Sequence, residues 1–377
     1  MTIDGWAEKE LGEVLTLSYG WSLPEKRRIP GDFPVYGSNG IVGSHNAALV
    51  PSEGLVVGRK GSAGNVHFAR KSFCPIDTTF YIAPSDTSLD LEFLYFLLLH
   101  IDLKRILGDV GVPGLNREMA YKERAKFPPD RNEQSKIAAV LGVVQRAIEQ
   151  QERLLQLTAE LKKTLLQQLF THGLRGEPQK ETDIGLVPES WKVEKLGSLV
   201  NIQTGKLNSN AATPDGEYPF FTCSQETFRI DRYAFDTEAL LLSGNNAQGI
   251  YSVKHYKGKF NAYQRTYVFT LKDEKVLPYV FLNQAISRNL ELLRRLSIGT
   301  STKYLTLGVL QELPIVKPSY EEAQKIGEVL QCVENKREQI ARKKALLDNL
   351  FRTLLHQLMT AQIRVHDLDL PELEVSP

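Results

Sequence analysis

Cysteine is nearly absent: Cys74, Cys223 and Cys332 are the only three in 377 residues, and no two stand as C-x-x-C. An odd, scattered set supports neither a disulfide framework nor, by itself, a zinc site. Long apolar runs are missing too. The longest, residues 93–99, falls far short of the ~20 residues that a membrane helix needs. Asp4, Glu8 and Glu10 precede any apolar run, which is unlike a secretory signal. These absences predict a soluble, cytoplasmic protein with no membrane partner.

No charge of one sign dominates, since 46 Lys+Arg stand against 45 Asp+Glu for a net +1. The balance is uneven along the chain. Residues 189–318 hold 16 Lys/Arg against 12 Asp/Glu, whereas residues 1–130 hold 14 against 16. Neither stretch is polybasic, so attraction to phosphate is modest, and tight DNA binding would need a partner to complete the clamp. There is no G-x-x-x-x-G-K-[ST] phosphate loop, and the seven histidines show no metal spacing.

What the chain does have is a second copy of itself. Trp6 is followed by Leu11-Gly12, and Trp191, 185 positions on, by Leu196-Gly197. The same offset relates Gly20 to Gly205, Gly31 to Gly216, Pro34 to Pro219, Val56-Val57 to Leu241-Leu242 and Gly64 to Gly249. Small insertions then bring it to 189, as from Lys136-Ile137 to Lys325-Ile326 and from Thr171 to Thr360. Turn-forming and apolar positions that match collinearly over so long a stretch mark a duplication, so the halves should share a fold.

Each half changes texture once. Its first part is rich in turns, with short β-prone runs at Gly54–Gly58, 78–83, 218–222 and Thr266–Leu271, and predicted helices at 91–107 and 278–296. Its second part lacks such punctuation. There, apolar residues recur in steps of four and three: Ile137, Leu141, Val144, Ile148, Leu161 and Leu165, and in the copy Ile326, Leu330, Val333, Ile340, Leu347 and Leu354. That spacing lays a seam along a long helix. A helix of ~42 residues spans roughly 63 Å, more than a small globule can cover. The two seams are best buried against each other, in antiparallel fashion.

The expected fold is therefore α+β: two similar mixed α/β domains separated by two long helices packed as an antiparallel coiled coil. The domains run over residues 1–130 and 189–318, the helices over 131–172 and 319–362, with a linker at 173–188 and a tail at 363–377. Two related globules held apart by a rod suit a DNA target in two unlike parts, because B-DNA presents equivalent faces about every 34–36 Å.

Certain motifs resemble those of a known family. The run Ile184-Gly185-Leu186-Val187-Pro188-Glu189-Ser190-Trp191, with Leu196-Gly197 after it, is similar to the start of a target-recognition domain in type I restriction–modification specificity subunits. Gly58-Arg59-Lys60-Gly61-Ser62-Ala63-Gly64 resembles the glycine-rich turn inside such domains. Pro128-Pro129-Asp130-Arg131-Asn132-Glu133-Gln134 resembles their junction with the long helix. The second half departs from this pattern, with Ser243-Gly244-Asn245-Asn246-Ala247-Gln248-Gly249 in place of the Arg-Lys turn.

The resemblance implies a DNA-reading, non-catalytic subunit that directs adenine-N6 methylation and restriction at a bipartite asymmetric target. Its partners would be double-stranded DNA, two methyltransferase subunits and up to two motor–nuclease subunits. S-adenosylmethionine, ATP and Mg2+ would reside on those partners, with no cofactor or metal in this chain. An adenine methyltransferase needs Asn/Asp-Pro-Pro-Tyr/Phe, and the double proline here follows Phe127. The competing expectation is a coiled-coil scaffold whose two globules bind proteins.

Candidate DNA contacts are Lys26, Arg27 and Arg28 before the Pro30-Gly31 turn, and Arg59 and Lys60 between glycines. Asn116 and Arg117 close the loop 111–117, and Lys303 and Tyr304 lie in its counterpart. Asn245 and Asn246 are candidates because an amide can pair bidentately with adenine. A solvated turn explains each of these equally simply.

Overall fold

Glycine dictates where the chain doubles back, and it does so in both halves. In the computed structural model, which describes residues 5–107, 114–246 and 249–365, a Cβ on Gly20 would lie 2.1 Å from the carbonyl oxygen of Ile76. One on Gly205, 185 positions later, would lie 1.7 Å from that of Ala262. Only a residue without a side chain allows backbones so close. The chain divides into two units, Met1–Glu152 with Arg342–Pro377, and Arg153–Ala341.

The first unit centres on an antiparallel sheet ordered Ser18–Tyr19, Thr79–Ile82, Gly54–Gly58, Val66–Ala69. The apolar run Gly54–Gly58 is buried at every position, as a central strand should be. A second sheet joins Phe33–Gly37 to Gly40–His45 and, in parallel, to Cys74–Pro75. Ala7–Glu10 pairs with Arg124–Phe127. The helix Leu91–Ile101 starts where the Asp90 carboxylate accepts from the Phe93 amide, and buries Phe93, Leu94, Phe96 and Leu97 in the core. Each such side chain contributes roughly 1.5–3 kcal/mol relative to exposure.

The second unit repeats this plan with longer strands. Its six-stranded sheet runs Val200–Thr204, Thr266–Leu271, Phe235–Ser243, Val253–Ala262, Tyr218–Phe221, Thr227–Ile230. Lys192–Lys195 pairs with Pro314–Lys317, matching the terminal pair of the first unit. The segment 173–188 carries a hairpin of its own, Gln179–Thr182 against Gly185–Pro188.

The long helices are Arg131–His172 and Tyr320–Met359, and each contributes to both units. Within the first unit Lys344 pairs with Glu152 at 3.2 Å and Arg364 with Glu133 at 3.2 Å. Numbers rise on one partner as they fall on the other, so the pairing is antiparallel. Within the second unit Lys162 meets Glu334 at 2.7 Å. Ile137, Leu141, Ile326, Leu330 and Ile340 are buried, while Val144, Ile148, Val333, Leu347, Leu165 and Leu354 are half-buried.

Leu161 departs from the expected seam, being 48% exposed. The inward positions of that stretch are Leu155, Thr158, Lys162 and Leu165. Lys162 thus takes the inward place, its aliphatic stem covered and its ammonium on Glu334. Two predicted helices are also shorter than expected. The first ends at Asp102, whose φ of 54° breaks the helix and whose carboxylate accepts from the Lys104 amide. The other is split at Asn289, whose side-chain amide donates to the Ala285 and Pro314 carbonyls. Among the described residues no helix is long and apolar enough to cross a membrane.

Candidate nucleic-acid interface

In the first unit the Gly58–Gly64 stretch closes on itself, with the Gly64 amide donating to the Gly58 carbonyl at 2.8 Å. Gly61 and Gly64 adopt φ of 75° and 79°, a region that favours glycine. The turn is pinned on both sides. Arg59 and Lys60 donate their amides to the Thr78 carbonyl, and Leu115 donates to that of Arg59 at 2.8 Å. Lys60 also bridges Gly114. The fold therefore gathers Arg59, Lys60, Asn116 and Arg117, although residues 111–113 of that predicted loop lie outside the described ones.

Two of these cations meet on one ring. The guanidinium carbons of Arg59 and Arg117 each lie 5.3 Å from the ring centroid of Tyr19, which is itself 50% exposed. Cations held over an aromatic face gain about 0.5–1 kcal/mol at exposed sites. Lys60 stays exposed. Asn116 spends its side-chain oxygen on the fold, accepting from the Glu118 and Met119 amides to cap the helix Arg117–Tyr121.

The other basic run is placed differently. Lys26 and Arg27 are exposed on the single turn Glu25–Arg27, while Arg28 donates to the Val42 and Leu23 carbonyls. Among the described residues none of the three has a ring–cation contact with Tyr19.

The second unit builds the same junction from different side chains. Asn245 stands opposite Tyr304, and Asn246 opposite Lys303, in a two-stranded ladder. The Leu305 amide donates to the Gly244 carbonyl at 2.8 Å, as that of Leu115 does to Arg59. Thr306 caps the next helix as Asn116 does. Backbone position thus equates Arg59 with Gly244, Lys60 with Asn245 and Gly114 with Tyr304. The side-chain oxygen of Asn245 is buried without a partner, and that of Asn246 accepts from Ile250. Ala247 and Gln248 lie outside the described residues.

Sequence reasoning missed Tyr19 and Trp21. Trp21 is 42% exposed and stacks on Tyr81 with centroids 5.3 Å apart. The available signal was that both flank Gly20, a repeat marker, while the second copy has Thr204 and Lys206 at those positions.

A cleft of about 650 Å3 in the second unit is lined by Lys254, His255, Gln284 and Glu334 among others. Lys254 is already spent there on the Ser224 and Glu226 carbonyls and the Thr227 hydroxyl, and burial holds its pKa below the usual lysine value. Among the described residues no group of three or more His, Cys, Asp or Glu could hold a metal ion.

The family described as "Type I restriction modification DNA specificity domain" matches residues 3–159 and again 188–349. The chain is similar to the specificity subunit of the EcoDI type I restriction enzyme of Escherichia coli, with 35% identity over 183 residues. That alignment covers 48% of this chain and 40% of the relative, so the match spans less than half of either. Similarity to the MjaVIII type I specificity subunit of Methanocaldococcus jannaschii is 26% over 308 residues, 74% of this chain and 72% of that one. The fold resembles the crystal structure of a type I restriction–modification S subunit from M. genitalium. Its TM-score is 0.76 at 16% identity, covering 95% of this chain and 98% of the other.

Proposed function

The chain belongs to the type I restriction–modification DNA specificity family, and from that premise we propose that it reads a bipartite, asymmetric DNA sequence for an enzyme complex. Each unit reads one half of the target. Two methyltransferase subunits, carrying S-adenosylmethionine, methylate adenine N6 where this chain places them. Motor–nuclease subunits using ATP and Mg2+ cut DNA that lacks the mark. The chain itself performs no chemistry, and the complex acts in the cytoplasm.

One observation carries this reading: a single backbone junction occurs twice with different side chains. Arg59 and Lys60 meet Leu115 and Gly114 in one copy, and Gly244 and Asn245 meet Leu305 and Tyr304 in the other. Identical scaffolds with unlike contact residues suit two unlike half-sites, since base edges are read by side chains.

The near-neutral charge of +1 favours a protein-binding scaffold instead. Salt separates the two readings. Every phosphate contact adds about 0.9 to the slope of log affinity against log salt. Binding of the assembled complex to its target duplex is expected to weaken at least tenfold between about 50 and 200 mM salt. Measured by titration calorimetry or fluorescence anisotropy, DNA affinity that is negligible or flat with salt would favour the scaffold.

A further inference from the structure

We propose that Arg59 reads a guanine in one half of the DNA target, with Tyr19 and the Asp77 carbonyl acting as positioning groups. The inference rests on the DNA-reading function and deepens it by naming a base and the side chain that selects it.

The argument starts from how the guanidinium is held. Its Nε donates to the Asp77 carbonyl at 3.1 Å, and its Nη2 donates to the same oxygen. Those two donors form one edge of the planar group. Its central carbon lies over the Tyr19 ring, 5.3 Å from the centroid, and 6.0 Å from that of Phe80. One edge is thereby fixed and the group is held beside the ring, and the Nη1/Nη2 edge is left with two parallel N–H donors. Among the described residues no acceptor takes them. The backbone is fixed as well, through Thr78 on one side and Leu115 on the other.

A phosphate can also accept from the arginine fork. A phosphate contact, however, carries no sequence and would serve both units alike, whereas the second unit has Gly244 at this place. An oriented fork answers a stricter demand, two acceptors side by side in a plane. In the major groove guanine offers that pair, O6 and N7. A contact that only one unit keeps suits a base, which differs between half-sites, better than a phosphate, which both halves present.

The duplication supplies an internal control. Gly244 occupies the position of Arg59, Leu307 that of Arg117 and Thr204 that of Tyr19, in a unit with the same backbone junction. The fold therefore does not require the cation–ring–cation cluster. Residues that a shared fold leaves free to differ are those available for recognition. For the same reason, variants at Arg59 should keep the structure.

The test co-expresses the full chain with its methyltransferase subunits in a methylation-free host and maps methylated adenines across the genome. The original chain is compared with Arg59→Lys and Arg59→Gly, the latter copying the second unit. The expected result is that one guanine position in one half of the target becomes degenerate in Arg59→Gly, while Arg59→Lys, which still reaches O6 and N7, keeps a weakened preference for guanine and the other half stays unchanged in both. Discrimination at that position should fall by on the order of tenfold or more. An unchanged motif in Arg59→Gly, as loss of a mere phosphate contact would give, overturns the proposal. So does an original motif with no G·C pair in either half.

If the variants methylate too weakly to map, affinity decides. Replacing the guanine by 7-deazaguanine, which lacks the N7 acceptor, should weaken binding to the original complex about tenfold and leave Arg59→Gly indifferent. Equal losses in both would overturn the proposal. An original complex that methylates no defined sequence refutes the underlying function instead, so the two failures are distinguishable.

Discussion

Phe170→Ala is expected to destabilise the second unit by about 3–5 kcal/mol, the range for removing a fully buried aromatic ring. Phe170 lies at the C-terminal end of the first long helix and is completely buried. Its ring stacks on Phe281 with centroids 5.1 Å apart and an interplanar angle of 6°, and it meets Trp191 edge-on at 6.2 Å. Trp191 is itself held by the Glu322 carboxylate, which accepts from its Nε1 at 3.2 Å and from the Leu174 amide at 2.9 Å. The alanine variant would leave a cavity among rigid rings that cannot collapse to fill it. Leu161→Ala, nine residues earlier on the same helix, should change stability by under about 0.5 kcal/mol because Leu161 is half exposed. Urea denaturation of the two variants checks the pair. Similar losses for both would mean that the helix is buried on a different face.

The second large effect concerns target spacing. Duplicating Thr158-Ala159-Glu160-Leu161 adds about 6 Å of helix and turns the residues beyond it by only about 40°. Leu165 and Leu169, which pack beside the second unit's core, would keep nearly the same heading. The preferred spacer between half-sites should lengthen by one to two base pairs, at about 3.4 Å each, with both half-site sequences unchanged. Methylation at the original spacing should fall at least tenfold. A two-residue insertion turns the helix by about 200° and should instead disrupt the seam. Methylation assays on oligonucleotides of graded spacer length decide the matter, and a preferred length that does not move would refute it.

Much of the fold could be read in advance because duplication and helical spacing are long-range patterns. Gly20 with Gly205, and Ile137 with Ile326, carry a signal that no single position needs to supply. Phe170 was missed because a strict seam count selects Leu169, and periodicity cannot tell which neighbour a helix end will meet. Leu161 was misplaced because a lysine can hold an inward position when a carboxylate, here Glu334, is waiting for it. Asp102 and Asn289 broke helices through side chain–backbone bonds that competed with the helix ladder.

The candidate site was legible residue by residue but not as a constellation. Arg59, Arg117, Asn245 and Tyr304 stood out by type. That Arg59 and Arg117 share Tyr19, or that Asn245 faces Tyr304, depends on pairings across roughly 40 to 100 residues. Asn116 stood out as a candidate reader, and its side-chain oxygen also caps a helix, a role for which its residue type is preferred.

The most direct measurement maps N6-methyladenine in a methylation-free host that expresses this chain with its methyltransferase subunits, beside a host in which this chain is omitted. The predicted result is a two-part asymmetric motif with a fixed unspecified gap, present only when this chain is present. Given confirmed expression and assembly, methylation that is absent, or indifferent to this chain, would contradict the account.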